Sequence, residues 1–116
     1  MLLAFLFIKH FIVDFLLQPE YMYKNKGDLS HPGGYIHAFL HGFVSLIIML
    51  LLANNLIIAL LLAVMEWVWH FTIDYWKVNL SKNYDMKHEV FWILLGLDQL
   101  LHNLTYVFMD YTLKQF

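Results

Sequence analysis

Four apolar runs occupy nearly the whole of this 116-residue chain, broken only by two polar stretches, Glu20 to Gly34 and Ser81 to His88, and by the pair Asn54-Asn55. A soluble domain of this size needs polar side chains over most of its outward surface. Here 61% of the residues are hydrophobic and 14% charged. Lipid accepts outward apolar faces, and within lipid the backbone must satisfy its own hydrogen bonds, which helices do. The expected fold is therefore all-α: a single domain over residues 1–116, built as an integral membrane bundle of four transmembrane helices.

The breaks set the expected boundaries. Helix one runs from about Leu2 to Leu17 and stops at Gln18-Pro19, because proline disfavours the α conformation in the residue before it. It is short for a full span. A polar loop follows from Glu20 to Gly34, ending in Pro32-Gly33-Gly34. Helix two is expected from about Tyr35 to Leu52, a tight hairpin at Asn54-Asn55, helix three from about Leu56 to Leu80, and helix four from about Glu89 to Thr112. The N-terminus has neither a basic leader nor a small-residue cleavage pattern, so it reads as a retained helix. Alternating helix directions put both polar loops on one face, with Lys24, Lys26, Lys82 and Lys87. By the positive-inside rule that face is cytoplasmic.

Composition also excludes several classes. There is no cysteine, which removes disulfides and thiolate metal sites. All seven basic residues are lysine and the formal net charge is −2, so no basic stripe or arginine fork is present to track nucleic acid.

The chemistry lies in one repeated spacing. Each helix carries a pair of potential metal ligands four positions apart: His10 and Asp14, His37 and His41, His70 and Asp74, Asp98 and His102. That spacing stacks both side chains on one helical face. Ionisable groups are costly in hydrocarbon unless paired, hydrated or bound to metal, so the four faces should turn inward. At about 1.5 Å per residue the pairs lie roughly 3 to 20 Å below the loop face, with ranges overlapping near 10 Å. One such pair alone is equally well a packing hydrogen bond, but four at one depth make a layer.

Five imidazoles and three carboxylates give two divalent ions about four protein ligands each. Three aspartates and one hydroxide would balance two such ions, which matters in a medium of low dielectric constant. A sulfur-free, imidazole-rich set suits zinc first for a hydrolase, with manganese and iron also compatible. Glu66, one turn before His70, is the candidate for catalysis, as general base or as a group orienting His70. Lys9 and Lys77 are expected to reach towards the interface as snorkelling side chains, or to meet an anionic headgroup. Gln18, Gln99 and Asn103 are candidates for hydrogen bonds to ligands, to substrate or between helices. His31 and His88 lie in the polar loops and are read as solvated.

At these residues the chain resembles a family of small integral membrane proteins of bacteria and their phages, described as a domain of unknown function. The matching segments are Lys9-His10-Phe11 through Asp14-Phe15 to Gln18 with Tyr21-Met22, His37 with His41-Gly42, His70 through Asp74 to Lys77, and Asp98-Gln99 with His102. The resemblance implies the choice of residues and a bacterial cytoplasmic membrane, and brings no activity with it. The segment His10 to Pro19 is also similar to the His-x-x-x-Asp zinc-ligand helix of zinc-dependent phospholipase C enzymes. A further likeness runs to bacterial membrane-bound metal-dependent hydrolases.

The expected function is a metal-dependent membrane hydrolase cleaving a phosphoester of a lipid or lipid-linked substrate at the cytoplasmic interface, with membrane lipid as its surroundings. The alternatives are a proton or metal-ion transporter or channel using the same groups, and a phage-type membrane accessory protein with a structural metal site. Short helices exposing much surface to lipid also leave room for a homo-oligomer.

Overall fold

The computed structural model describes Met1 to Phe116, and its only regular secondary structure is helix. Helix α1 (Leu2–Phe11) continues into a π-helical turn (Ile12–Leu16) and ends before Pro19. A single turn, α2 (Glu20–Tyr23), interrupts the first loop, and α3 (Pro32–Leu52), α4 (Leu56–Ser81) and α5 (Glu89–Gln115) complete the chain. Each of α3 and α4 packs on the other, α5 packs on α4, and α1 closes the ring between α3 and α5.

The boundaries follow local chemistry. Pro32 stands in the first turn of α3, where its missing N–H costs nothing, and His31 caps that helix by accepting from Gly33 N at 3.0 Å. The helix therefore begins three residues before the expected Tyr35. Asn55 caps α4 by accepting from Ile58 N at 3.1 Å. That bond turns the chain within the short link Ala53 to Asn55 and makes the expected hairpin.

Two helices, α3 and α4, are long and apolar enough to cross a membrane, not the four expected. Helix α1 with its π turn has only 15 residues, whereas a span needs about 20. Helix α5 has 27 residues, but Asp98, Gln99, His102 and Asn103 lower its mean hydropathy.

The distribution of polarity is inverted relative to a water-soluble bundle. Phe7, Ile8 and Phe11 on α1, Phe39, Phe43 and Ile47 on α3, Leu61, Val64 and Val68 on α4, and Leu100, Leu104 and Val107 on α5 are exposed. Of 28 buried residues, thirteen are polar or charged. The interior has two halves. Near the Asn54 hairpin, Leu2, Leu6, Met49, Ala59, Leu62, Met109 and Leu113 form an apolar core. Towards the polar loops the same four helices enclose histidines and carboxylates.

Candidate metal centre

Two backbone features bring the helices into position. At the end of α1, Leu17 N donates to Ile12 O at 3.0 Å, five residues back, and this wider turn carries Asp14. His10 and Asp14 remain on one face, with Nε2 3.2 Å from Oδ2. Gln18 steadies the turn by donating to the Asp14 carbonyl at 2.7 Å. Between α3 and α4, Gly42 allows close approach: a Cβ there would lie 2.6 Å from the Ala63 carbonyl oxygen. The closeness stacks the His41 and His70 rings with centroids 3.7 Å apart.

All eight ligand candidates come together in three overlapping groups: Asp14, His37, His41 and His70; His10, His70 and His102; and Asp74, Asp98 and His102. Within each group the donor atoms lie within 4.8 Å of one another. Asp14 Oδ1 is 3.1 Å from His37 Nε2 and 3.0 Å from His41 Nε2. Asp74 Oδ2 is 3.5 Å from His37 Nε2 and 3.4 Å from His70 Nε2, and Asp74 Oδ1 is 3.3 Å from His102 Nε2. His102 Nε2 also lies 3.3 Å from Asp98 Oδ1.

Protons alone explain this arrangement poorly. His37 Nε2 faces Asp14, Asp74 and, at 3.3 Å, His70 Nε2, and a single N–H cannot point at all three. Most of these separations exceed the usual 2.7–3.2 Å of an N–H···O hydrogen bond. They match the edges of a coordination polyhedron: bonds of about 2.0–2.1 Å give tetrahedral edges of about 3.3–3.4 Å and octahedral edges of about 2.8–3.0 Å. His10 Nε2 and Asp98 Oδ1 are buried and make no well-aligned hydrogen bond, their nearest partners being Asp14 Oδ2 at 3.2 Å and His102 Nε2 at 3.3 Å. The residues therefore fit a cation larger than a proton, and the nitrogen-rich, sulfur-free donor set fits zinc, manganese or iron.

A second polar layer lies beneath the first. The Tyr106 hydroxyl is 2.8 Å from His10 Nδ1. Donation from Nδ1–H to that oxygen leaves Nε2 as a lone pair facing the centre. Lys9, expected to snorkel outwards, is buried instead, because α1 is closed in on both sides by α3 and α5. Its ammonium donates to Glu66 Oε1 and lies 3.3 Å from the Tyr106 hydroxyl and 3.4 Å from the His41 carbonyl oxygen. Lys9 Nζ is also 3.3 Å from His41 Nδ1. An ammonium facing Nδ1 favours the tautomer whose proton sits on Nε2 and is donated to Asp14.

Glu66, expected near His70, thus has Lys9 as its partner. Lys26, expected as a loop charge, folds inward to within 2.9 Å of Asp74 Oδ2. Gln99 donates to Asp98 Oδ2 at 3.0 Å, whereas Asn103 points away from the centre and is exposed. His31 caps α3, and His88 pairs with Asp85 in the second loop, both outside the cluster.

A cavity of about 180 Å³ leads from the loop face to the carboxylates of Asp14, Asp74 and Asp98, with Gln18, Lys26, Lys77 and Gln99 on its walls. The arrangement thus has a charged interior, a polar mouth at one end and an apolar floor at the other.

The family model described as "Protein of unknown function (DUF3307)" matches residues 2–116. Neither a curated protein nor a solved structure matches the chain. The chain belongs to the DUF3307 family.

Proposed function

We propose that this protein is a metal-dependent membrane hydrolase acting on a phosphoester of a lipid or lipid-linked substrate. The observation that carries the reading is the meeting of five imidazoles and three carboxylates at separations of 3.0 to 3.5 Å, beside a cavity lined by all three carboxylates. All four long helices lie in the membrane in this reading. The exposed apolar faces of all four support it, and the shorter α1 packs between α3 and α5. The lysines of the loops favour a cytoplasmic loop face of a bacterial inner membrane.

Two divalent ions, zinc first, would engage the whole cluster. Asp14, His37 and His70 would hold one, with His41 orienting Asp14 by its Nε2–H. Asp74, Asp98 and His102 would hold the other, with His10, grouped with His70 and His102, between the two. Three protein ligands leave an open position, as catalytic zinc sites do. Such ions lower the pKa of bound water and polarise a phosphoryl oxygen. With neutral imidazoles, three aspartates and Lys26 leave the layer two charges negative, and two divalent ions make it two charges positive. That surplus suits a phosphate monoester dianion, or a diester together with hydroxide.

Within the protein, Asp14, Asp74 and Asp98 line the cavity, so a group entering it meets the ligand carboxylates. Glu66 serves as counter-ion to Lys9, since its Oε1 is occupied by the ammonium and it is absent from the cavity wall. Lys26 is placed to attract phosphoryl oxygens. The apolar floor of Leu6, Met49 and Met109, each 0% exposed, favours a closed site over a transport path.

The test is elemental analysis of untagged protein purified in detergent, with His70→Ala and Asp74→Ala alongside. About two zinc, manganese or iron ions per chain, reduced in both variants, supports the reading and calls for a phosphoester screen. A correctly folded, metal-supplemented wild type with no stoichiometric metal overturns it.

A further inference from the structure

The polar cavity has an apolar neighbour. A furrow of about 490 Å³ runs between α4 and α5, walled by Trp69, Ile73, Trp76, Leu94 and Leu97. Lys77 and Asp98 line both the furrow and the polar cavity, so the two spaces meet at those residues. On α4 the furrow extends from Trp69 to Leu80. Eleven residues at about 1.5 Å each give roughly 16 Å, close to half of a hydrocarbon core about 30 Å thick. Thr72, the polar side chain lining this stretch besides Lys77, donates its hydroxyl to Val68 O at 2.8 Å and so presents no free donor to the furrow.

The junction brings together an ammonium, Lys77, and the Asp98 carboxylate, which in the hydrolase reading is a metal ligand. Lys77 is half-buried and has no carboxylate within 4.0 Å, unlike Lys9, Lys24, Lys26 and Lys114. A free ammonium where an apolar furrow meets a polar cavity complements an amphiphile whose anionic group joins a hydrocarbon chain. A second furrow, about 200 Å³ between α3 and α4 around Phe43 and Val64, shares no residue with the polar cavity. It supplies an internal comparison for ordinary lipid contact.

We infer that the α4–α5 furrow holds the acyl chain of a phospholipid whose anionic phosphate headgroup lies in the polar cavity against Lys77. This inference rests on the hydrolase reading and specifies its substrate: a single-leaflet lipid entering sideways between α4 and α5.

The experiment uses the full chain in phosphatidylcholine nanodiscs and two photoreactive probes with identical diazirine-bearing acyl chains, one a phosphatidate and one a diacylglycerol. Labelled peptides are mapped by mass spectrometry, and bound metal is measured on the same samples. The expected result is labelling of the α4–α5 furrow by the phosphatidate probe, about tenfold or more above the diacylglycerol probe. Unlabelled phosphatidate should compete, whereas labelling near Phe43 should not discriminate. Lys77→Gln should remove the headgroup preference. Leu97→Trp, at a half-exposed position that tolerates bulk, should block the furrow without changing labelling near Phe43. Equal labelling of both furrows by both probes identifies ordinary surrounding lipid and overturns the inference. Stoichiometric metal without selective labelling removes the lipid site and keeps the metal centre. Selective labelling of metal-free protein keeps the lipid site and removes the hydrolase reading.

Discussion

Removing either partner of the Lys9–Glu66 pair should destabilise the bundle far more than removing both. The side chains are 2% and 1% exposed, so neither charge reaches water or headgroups. Truncating one leaves the other buried without its counter-ion, which costs about 3–5 kcal/mol, whereas replacing both with apolar residues of similar volume is close to neutral. Lys9→Met and Glu66→Leu should each lower the folded-to-unfolded ratio by roughly two to three and a half powers of ten. The double variant should fall within about 2 kcal/mol of the wild type, since Tyr106 keeps its bond to His10. Reversible unfolding in mixed micelles, followed by the fluorescence of the four tryptophans, gives all four corners of the cycle. If each single change costs under about 1 kcal/mol, or if the two costs add in the double variant, Lys9 and Glu66 are solvated separately and the buried pair is refuted.

Gly42→Ala should destabilise by about 1–3 kcal/mol, because the new methyl would meet the Ala63 carbonyl at 2.6 Å and push α3 off α4. Gly96→Ala, with nothing within 4 Å of the new carbon, should stabilise α5 by about 0.5–1 kcal/mol; the same unfolding assay reads both. Tyr106→Phe and His41→Gln should weaken metal binding about 10- to 100-fold at unchanged stoichiometry, by loss of the groups that orient His10 and Asp14. Chelator competition separates these effects from His70→Ala, which should reduce stoichiometry because His70 belongs to two ligand groups. In the first loop, the Ser30 hydroxyl and backbone N–H bonds hold the Asp28 carboxyl below its usual 3.8. A depressed carboxylate contributes stability above its unfolded pKa and loses it as pH falls through the folded value. Side-chain carbonyl NMR should therefore place the Asp28 midpoint below 3.8, and Ser30→Ala should raise it.

Much of the site was legible because four-residue spacing is a geometric statement about helices. His10 with Asp14, His37 with His41, His70 with Asp74, and Asp98 with His102 had to share a face once each run was helical. The turn signals at Pro19, Asn54-Asn55 and Ser81 to His88 then brought the four faces to one depth. The same rule, carried one turn further, reaches Tyr106, four residues beyond His102, and Glu66, four before His70. Tyr106 was missed because a tyrosine near a helix end reads equally well as an interfacial anchor. Its burial depends on α1 packing against α5, a contact between the two ends of the chain.

Lys9 and Lys26 show what spacing does not carry. Lys9 stands about 100° around the helix from His10, and whether that direction meets lipid or protein depends on which helices flank α1. It meets protein on both sides. Lys26 sits in a polar loop, where the bland expectation is solvation, yet the turn Glu20–Tyr23 packs on α3 and the Lys26 ammonium lines the cavity against Asp74. Both lysines change the electrostatic argument. Three aspartates with two divalent ions and one hydroxide looked self-balancing in the sequence. Lys26 inside the layer adds a positive charge, while Lys9 and Glu66 cancel below it. A centre loaded with two ions is then short of negative charge, and the polar mouth beside unpaired Lys77 is where an anion would supply it. In the proposed reading, the two lysines thus turn a balanced metal site into one that would draw an anionic substrate.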